Sequence, residues 1–361
     1  MISIVLGTRA ELIKTFTVMK ELDKRNIPWT FIHTGQHNIE NLRKEFEIKK
    51  PDIKLDFTQE KSGRFKGRFL SSVIKATGWS FKITRKLRTV LTQIKPKVVL
   101  CQGDTITTAA TALASRSIFL NRPIIGHIEA GLRTYDLLEP FPEEISRRIT
   151  DKISDLLFAP TLRAAENLRK EIKLGKIFLT GNTIVDALDY ITKKKRKKKL
   201  KKKYVIAQLH RQENINSYKR LKKFVELITN LPYKVLLIMH SNTQYQLKEF
   251  RLWNELEKSN IEIMDIMGYS EFIHYLKNSI GIITDSGSLA EECTILKKPC
   301  LIFRKKTERI EAIEAGVATL VIDKDIDFVL NFLKKKIRNT GDPFGKVGVS
   351  KKIIDIIEEY I

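Results

Sequence analysis

The sequence predicts an α/β fold made of two Rossmann-like, doubly wound domains. Short apolar runs, which are typical of buried parallel strands, alternate with helical patterns in both halves of the chain. Nearly every distinctive polar cluster directly follows one of these runs, and open parallel sheets bind ligands beyond the carboxyl ends of their strands. The length of 361 residues suits two ordinary domains. We therefore expect two sheets whose strand ends carry the functional residues.

In the first half, six apolar runs predict strands. They cover residues 2–6, 30–33, 97–101, 124–128, 156–160 and 177–179. Helical patterns follow at residues 12–24 and again after the third run, where small residues continue through Ala114. The polar clusters that close these strands are GTRAE at 7–11, TGQH at 34–37, QGDT at 102–105, HIEAGLRT at 127–134 and TGNT at 180–183.

The second half repeats this layout without a fixed-period repeat. Its predicted strands cover residues 204–209, 234–239, 280–283 and 300–303, and they end in HRQEN, HSN, TDSGS and Arg304 followed by TER at 307–309. Isoleucines at helical spacing then predict an amphipathic C-terminal helix. We expect an N-terminal domain at 1–180, a basic connection at 181–203, a second domain at 204–345, and a helix at 346–361 that docks on the first domain.

Composition predicts a soluble, cytoplasmic protein. No apolar run approaches the roughly 20 residues of a membrane helix, and no basic segment precedes the first strand as it would in a signal peptide. The three cysteines, Cys101, Cys293 and Cys300, are scattered and form no CxxC pair. We expect buried thiols rather than disulfides or a metal site.

The net charge of +24 has a local source. Residues 193–203 (KKKRKKKLKKK) contribute ten positive charges. A run of this kind can bind nucleic acid, but it contains no aromatic residue for base stacking and lies between two α/β patterns. We interpret it as a solvated connection between domains, which makes a nucleic-acid partner the less favoured alternative.

Three carboxylates in the first half are candidates for acid–base chemistry. Asp104 and Glu129 directly follow predicted strands, and Glu143 follows a loop marked by glycine and proline. Like charges that converge on one crevice raise the pKa of at least one group, as proton transfer requires. Asp104 also suits the N-cap of the following helix. In the second half, His210 beside Arg211 is expected to contact a ligand, and His127 and His240 are weaker candidates.

The stretch Ser286-Gly287-Ser288 between a strand and a helix predicts a phosphate site. The first N–H groups of a helix are unpaired and favour an anion, and glycine allows close approach. Arg9 is a second candidate, because its planar guanidinium matches phosphate oxygens. The absence of GxGxxG and of a P-loop argues against a nicotinamide dehydrogenase and a P-loop phosphotransferase.

Nine motifs in order over almost the whole chain closely resemble those of the non-hydrolysing UDP-N-acetylglucosamine 2-epimerases. They are the clusters already named except HSN, together with PFPEE at 140–144, while the DSGS cluster extends to DSGSLAEE at 285–292. The resemblance implies a GT-B-like fold with the nucleotide sugar in the cleft between two Rossmann-like domains. It also implies a cytoplasmic homodimer that needs no metal and no cofactor and serves polysaccharide biosynthesis.

The resemblance also assigns roles by position. In this family UDP is eliminated to give 2-acetamidoglucal and is added back after protonation on the other face. Asp104, Glu129 and Glu143 correspond to the acid–base group, and His210 to the catalytic contact on the phosphate side. Glu292 resembles the ribose-binding acid, and the resemblance leads us to expect Phe272 against uracil. The full set of expected substrate contacts is Arg9, Lys14, Arg133, Arg211, His240, Phe272, Ser286, Gly287, Ser288, Glu292 and Arg309.

The chain departs from the family pattern at a few positions. Ala10 and Ile310 replace prolines, and Ser288 replaces a glycine beside the phosphates. Residues 36–39 read QHNI rather than the QHRQ of members activated by substrate, which argues against that regulation. The alternatives are a UDP-2,3-diacetamido-2,3-dideoxyglucuronate 2-epimerase and, more distantly, a GT-B glycosyltransferase that uses a UDP-sugar.

Overall fold

The structure, a computed structural model, describes residues 1–56, 69–135, 142–194, 203–257 and 260–361, with the backbone alone for 69–77. Two features singled out in the sequence lie partly outside the described residues. They are the PFPEE motif, at residues 140 and 141, and the basic run, at residues 195–202.

The described chain divides into two compact units, residues 1–187 with 344–361 (unit 1) and residues 188–343 (unit 2). Each unit contains one sheet in which all strand pairs are parallel. The strands of unit 1 are β1 (Ile2–Leu6), β2 (Trp29–His33), β3 (Ile53–Lys54), β4 (Val98–Gln102), β5 (Ile124–Ile128), β6 (Leu156–Ala159) and β7 (Lys176–Leu179). Those of unit 2 are β8 (Tyr204–Gln208), β9 (Lys234–Ile238), β10 (Ile261–Met264), β11 (Ile282–Thr284), β12 (Cys300–Ile302) and β13 (Ala318–Leu320).

The strand orders are β3-β2-β1-β4-β5-β6-β7 in unit 1 and β10-β9-β8-β11-β12-β13 in unit 2. Each sheet therefore reverses its winding once, between β1 and β4 and between β8 and β11. These are the switch points where open α/β sheets bind ligands. The predicted α/β class with two Rossmann-like, doubly wound sheets is confirmed.

Helices connect the strands. Those of unit 1 are α1 (Arg9–Lys24), α2 (Glu40–Glu45), α3 (Phe69–Ile94), α4 (Ile106–Arg116), α5 (Glu143–Ile153), α6 (Leu162–Glu171) and, leading into unit 2, α7 (Ile184–Lys193). Unit 2 continues with α8 (Gln212–Ile215), α9 (Tyr218–Thr229), α10 (Ser241–Glu249), α11 (Trp253–Glu257), α12 (Tyr269–Asn278), α13 (Ser288–Leu296), α14 (Ile310–Glu314) and α15 (Ile326–Leu333). The last helix, α16 (Val349–Glu358), belongs to unit 1. Among these helices none is both long and apolar enough to cross a membrane.

The sequence analysis does not predict three edge strands or the long helix α3. β10 and β13 carry partly exposed residues and β3 has only two residues, so none forms a continuous apolar run. α3 contains a glycine and many β-branched residues, which lower helix propensity. Its helical form depends on packing, because Ile83, Leu87 and Leu91 are buried in one core cluster with residues of α4. The three cysteines are free and buried, as predicted.

The C-terminal helix packs against α1. Its apolar face buries Ile353, Ile354 and Ile357. At the helix start, the Ser350 hydroxyl lies 2.8 Å from the Thr17 hydroxyl. Farther along, the Arg25 guanidinium contacts two carboxylates of α16 at 2.7 Å each. Burial of the isoleucine face provides the larger share of the docking energy, because exposed ion pairs contribute little.

We therefore expect Ile353→Ala to lower the free energy of unfolding of unit 1 by about 2–5 kcal/mol, the usual cost of truncating a buried isoleucine. The matched change on the exposed side of the same helix, Asp355→Asn, should have a much smaller effect. Urea unfolding of both variants measures the difference. Equal losses would show that the ion pairs, and not the apolar face, hold the helix.

Candidate active site

The loop between β1 and α1 is fixed by Glu11. Its Oε2 accepts hydrogen bonds from the N–H groups of Gly7 (2.8 Å) and Thr8 (2.6 Å), and its Oε1 accepts one from the Thr105 hydroxyl (2.6 Å). Burial raises the pKa of Glu11, and these hydrogen bonds offset only part of the effect. Glu11 therefore ties this loop to the loop after β4. Arg9 begins α1 and is exposed.

Glu129 lies at the end of β5 and is buried. Its Oε1 forms an ion pair with Lys14, and its Oε2 accepts a hydrogen bond from the Gln102 side-chain amide. Its backbone has φ = 70°, a region that residues with a Cβ rarely adopt. The N–H groups of Glu129 and Ala130 both donate to the Phe158 carbonyl at 3.1 Å, which holds that conformation. Lys14 and Glu129 are thus brought together, and Gln102 is a contact that the sequence analysis missed.

Asp104 lies on the loop after β4, in ion-pair contact with Arg147 of α5. The Asp104 side chain is 32% exposed, whereas that of Arg147 is 1% exposed. Asp104 does not cap α4, contrary to one sequence expectation. Thr105 does so, because its hydroxyl accepts from the Thr108 N–H at 3.2 Å. The carboxylate of Asp104 is therefore available to a ligand while a buried cation holds it in place.

Glu143 is the first residue of α5 and is half-buried. Arg147 follows it by four residues, so the two side chains lie on the same face of the helix. Arg147 contacts Asp104, so Glu143 lies on the face of α5 that is turned towards Asp104. The next residue, Glu144, is fully buried and accepts from the N–H of Thr134 at 3.0 Å. Unit 1 thus gathers Asp104, Glu129 and Glu143 near the ends of β4 and β5.

Arg133, an expected substrate contact, is buried. Its guanidinium lies 2.6 Å from Asp151 and 2.9 Å from Glu171. It contributes to the packing of the loop after β5, and its role in substrate binding stays a prediction.

In unit 2, the buried carboxylate of Asp285 holds the loop after β8. It accepts hydrogen bonds from the N–H of His210 (3.1 Å), the N–H of Arg211 (2.8 Å) and the side chain of Asn214 (3.1 Å). The Nδ1 atom of His210 lies 3.1 Å from Asp285 Oδ1. Burial opposes ionisation, but the contacts with His210, Arg211 and Asn214 outweigh it and lower the pKa of Asp285. Asp285, the first residue of the DSGS cluster, thus holds the backbone of His210 and lies against its ring.

We expect Asp285→Asn to destabilise unit 2 by about 2–3 kcal/mol at neutral pH, because it replaces an ionised acceptor of several hydrogen bonds. The folded pKa is lower than the unfolded one, so this stabilisation is present above about pH 4 and is lost as the pH falls through the folded pKa. Urea unfolding from pH 7 to pH 3 should show the difference between wild type and variant shrinking below about pH 4. Asp323→Asn, an exposed control, should show no such trend. A difference that stays constant with pH would contradict the assignment.

The predicted phosphate site lies at the N-terminus of α13. Gly287 occupies the N-cap position, where no side-chain hydrogen bond caps the helix. Ser288 is the first helical residue, and its hydroxyl lies 3.2 Å from that of Ser286. A Cβ on residue 287 would come within 2.4 Å of Glu308 Oε1, so glycine is needed for space. The open helix end with two hydroxyls suits a phosphate group.

Arginines and glutamates surround this helix end. Arg304 lies 3.1 Å from Glu308, and Arg309 lies 2.6 Å from Glu291. Burial opposes ionisation of Glu308, but Arg309, Arg304 and Arg211 hold its pKa far below the usual range. Glu308 therefore stays ionised and keeps this cationic cluster ordered.

The remaining expected contacts also lie in unit 2. The His240 and His210 rings stack with centroids 4.9 Å apart. The Tyr269 hydroxyl donates to Glu292 at 2.7 Å, and Phe272 is buried on the same helix as Tyr269. The residues that position these groups were not predicted from the sequence. Four of them, Glu11, Gln102, Glu144 and Asp285, lie within the motifs, and Arg147 follows the PFPEE motif.

Known proteins are similar to this chain over nearly its whole length. A family model described as UDP-N-acetylglucosamine 2-epimerase matches residues 20–358. The UDP-N-acetylglucosamine 2-epimerase of Methanocaldococcus jannaschii is 38% identical over 99% of this chain and 98% of its own. The crystal structure of the M. jannaschii UDP-GlcNAc 2-epimerase in complex with UDP-GlcNAc and UDP superposes with a TM-score of 0.83 at 36% identity, covering 99% of each chain. This match confirms the predicted fold.

A relative with a different substrate is also similar. The UDP-2,3-diacetamido-2,3-dideoxy-D-glucuronate 2-epimerase of Pseudomonas aeruginosa is 30% identical over 98% of each chain.

Proposed function

The chain belongs to the UDP-N-acetylglucosamine 2-epimerase family, and from that membership we propose that it interconverts UDP-GlcNAc and UDP-ManNAc. The observation that carries this proposal is the arrangement of Asp104 and Glu129 at adjacent strand ends of unit 1, each carboxylate oriented by a buried cation. A phosphate-type helix N-terminus in unit 2 supports it.

The chemistry of C2 inversion explains these groups. A proton on C2 of the sugar is not acidic, so its removal must accompany departure of UDP from C1, which gives 2-acetamidoglucal. Proton return on the opposite face, with re-addition of UDP at C1, completes the exchange. Acid and base groups on the two faces of C2 are required, and carboxylates held at fixed orientation provide them. Asp104 is the more exposed of the two ion-paired carboxylates, so we assign it to proton transfer at C2.

Departure of UDP requires stabilisation of the developing negative charge. In our proposal the first N–H groups of α13, with the hydroxyls of Ser286 and Ser288, contact a phosphate. His210 is a further contact. Because Asp285 lies at its Nδ1, the opposite nitrogen, Nε2, is turned away from Asp285 and is the nitrogen that can contact a phosphate.

Proton NMR of the protein with UDP-GlcNAc in deuterated water tests the function. Appearance of UDP-ManNAc with deuterium at C2 would support it. Free N-acetylmannosamine and UDP would mean hydrolysis, and incorporation of sugar into an acceptor without C2 exchange would mean transfer. Either of these outcomes, or no reaction, would overturn the proposal.

The diacetamido uronate is a second candidate substrate, because one relative that acts on it is similar over the full length. The C2 chemistry is the same, and the difference lies in the groups at sugar C3 and C6. Parallel kinetics with both UDP-sugars decide between them. Turnover of the uronate alone would replace our first choice.

We also propose a homodimer that works in the cytoplasm. Phe81 of α3 and Phe119 and Leu120, which follow α4, are 71%, 91% and 87% exposed, as residues of an apolar interface are in an isolated chain. The free thiols suit a reducing compartment. Light scattering of the purified protein tests the dimer, which Phe119→Asp with Leu120→Asp should dissociate. Deletion within the basic run is expected to preserve turnover, since we assign no nucleic-acid partner to it.

A further inference from the structure

Unit 1 contains a ring of charged side chains that begins and ends at the Gly103–Asp104 peptide. Consecutive members of the ring are in ion-pair contact, and the last returns to the Gly103 carbonyl by a hydrogen bond of 2.7 Å. In order, the members are Asp104, Arg147, Glu144, Arg148, Glu171, Arg133, Asp151 and His127. The site described above uses only the Asp104 end of this ring, so the role of the other end is open.

His127 closes the ring, and both of its ring nitrogens face acceptors. Nδ1 lies 2.7 Å from Asp151 Oδ1, and Nε2 lies 2.7 Å from the Gly103 carbonyl oxygen. The imidazole is fully buried. A neutral imidazole has one N–H, so it would place a nitrogen lone pair against an oxygen lone pair at one of these two contacts. The doubly protonated ring satisfies both.

Protonating Asp151 instead would not resolve this conflict. Asp151 also accepts from the Arg133 guanidinium at 2.6 Å and from the Gly131 N–H at 3.2 Å. Burial opposes its ionisation, but His127 and Arg133 outweigh burial and lower the pKa of Asp151. Asp151 is therefore a carboxylate, and the second proton belongs to His127.

With a protonated His127 the ring has no net charge, because its other members are four carboxylates and three guanidiniums. Besides Asp151, the titratable group beside His127 is Cys101, its register partner on β4. Burial raises the pKa of that thiol, which keeps it uncharged.

We propose that His127 is a buried imidazolium that positions Asp104 for proton transfer. The carbonyl it holds belongs to the peptide that joins Gly103 to Asp104. The N–H of Gly103 donates to the Ile128 carbonyl at 3.0 Å, so β5 fixes this residue on both sides. Gly103 has φ = 75°, a turn that glycine adopts without strain, and His127 supplies the restraint that glycine lacks. His127 touches no substrate atom, and this role rests on the proposed function of Asp104.

The protonation state is tested first on the wild-type protein. Nitrogen-15 NMR of histidine-labelled protein, with His127 assigned by comparison with His127→Gln, reports both ring nitrogens. At neutral pH we expect both ring nitrogens to carry a proton, as the two acceptors require. The signature of one bare nitrogen would overturn the proposal, and this result does not depend on which reaction the enzyme catalyses.

The positioning role is tested by kinetics with UDP-GlcNAc. His127→Phe should lower kcat about 10²-fold with KM within about threefold, because a small displacement of a reacting group costs this much. His127→Gln keeps a donor for the Gly103 carbonyl and should retain more activity. In the background of Asp104→Asn, His127→Phe should cause little further loss, since interacting residues are not additive. A further 10²-fold loss in that background would overturn the role. If the wild type shows no C2 exchange, the proposed function fails while the NMR result still stands.

Discussion

Asp104→Asn is expected to lower the rate of epimerisation about 10²–10⁴-fold, the usual contribution of a general acid or base. Asparagine has the same shape and still accepts a hydrogen bond from Arg147, so the fold and the position of the side chain should be preserved. What it lacks is a group that can take up and return a proton. The measurement is the rate of deuterium incorporation at C2, together with the rate of UDP-ManNAc formation from UDP-GlcNAc.

The matched control is Asp155→Asn. Asp155 is also an aspartate paired with an arginine, since it lies 2.7 Å from Arg122. Asp155, however, directly precedes β6 and so lies at the amino ends of the parallel strands, whereas the site lies at their carboxyl ends. Its change should leave turnover within about twofold, as expected for a group that does not take part in proton transfer. If Asp104→Asn retained wild-type exchange at C2, Asp104 would not be the proton-transferring carboxylate, and Glu129 would take its place.

Arg147→Met is expected to cost about 3–5 kcal/mol of the free energy of unfolding of unit 1, because removing one partner leaves buried charge uncompensated. Arg147 is 1% exposed and joins Glu144, at 2.6 Å, to Asp104. Methionine fills much of the same volume, so the loss is electrostatic rather than a cavity effect. Turnover of the folded fraction should fall as well, because Asp104 loses the cation that orients it. Urea unfolding measures the first effect and C2 exchange the second.

Arg148→Met provides the comparison within the same helix. Arg148 also contacts Glu144, at 2.9 Å, but its side chain is 30% exposed. Because solvent screens such pairs, the change should cost less than about 1 kcal/mol. Similar losses of unfolding free energy in the two arginine variants would show that the burial of Arg147 does not determine how much its ion pairs contribute to stability.

The fold could be predicted because the two signals that indicate it, hydrophobic periodicity and short motifs, are local in the sequence. The apolar runs at 2–6, 98–101 and 204–207 are buried on both sides in parallel sheets, so almost every residue is apolar and the strand is visible in the sequence. The edge strands β3, β10 and β13 are partly exposed and lack that pattern. α3 was not predicted because packing against its neighbours, and not intrinsic propensity, makes it helical.

The candidate site was located for the same reason, since the polar cluster after each strand predicts where a ligand binds. The functions of individual side chains were harder to predict. Asp104 suited a helix cap by sequence, yet Thr105 occupies the N-cap position of α4, and Gly287 rather than Asp285 occupies that of α13. Each aspartate instead contacts a residue distant in sequence, Arg147 for one and His210 for the other.

The amino-acid sequence by itself determined the two parallel sheets, the strand ends that bear the polar clusters and the family to which the chain belongs. These depend on hydrophobic periodicity and on short motifs, which are properties of neighbouring residues. Only the tertiary structure decided which carboxylate pairs with which cation, that Glu11 joins two loops, and that both nitrogens of His127 face oxygen. Burial gives those contacts their energy, and burial arises only when residues that are far apart in the chain pack together.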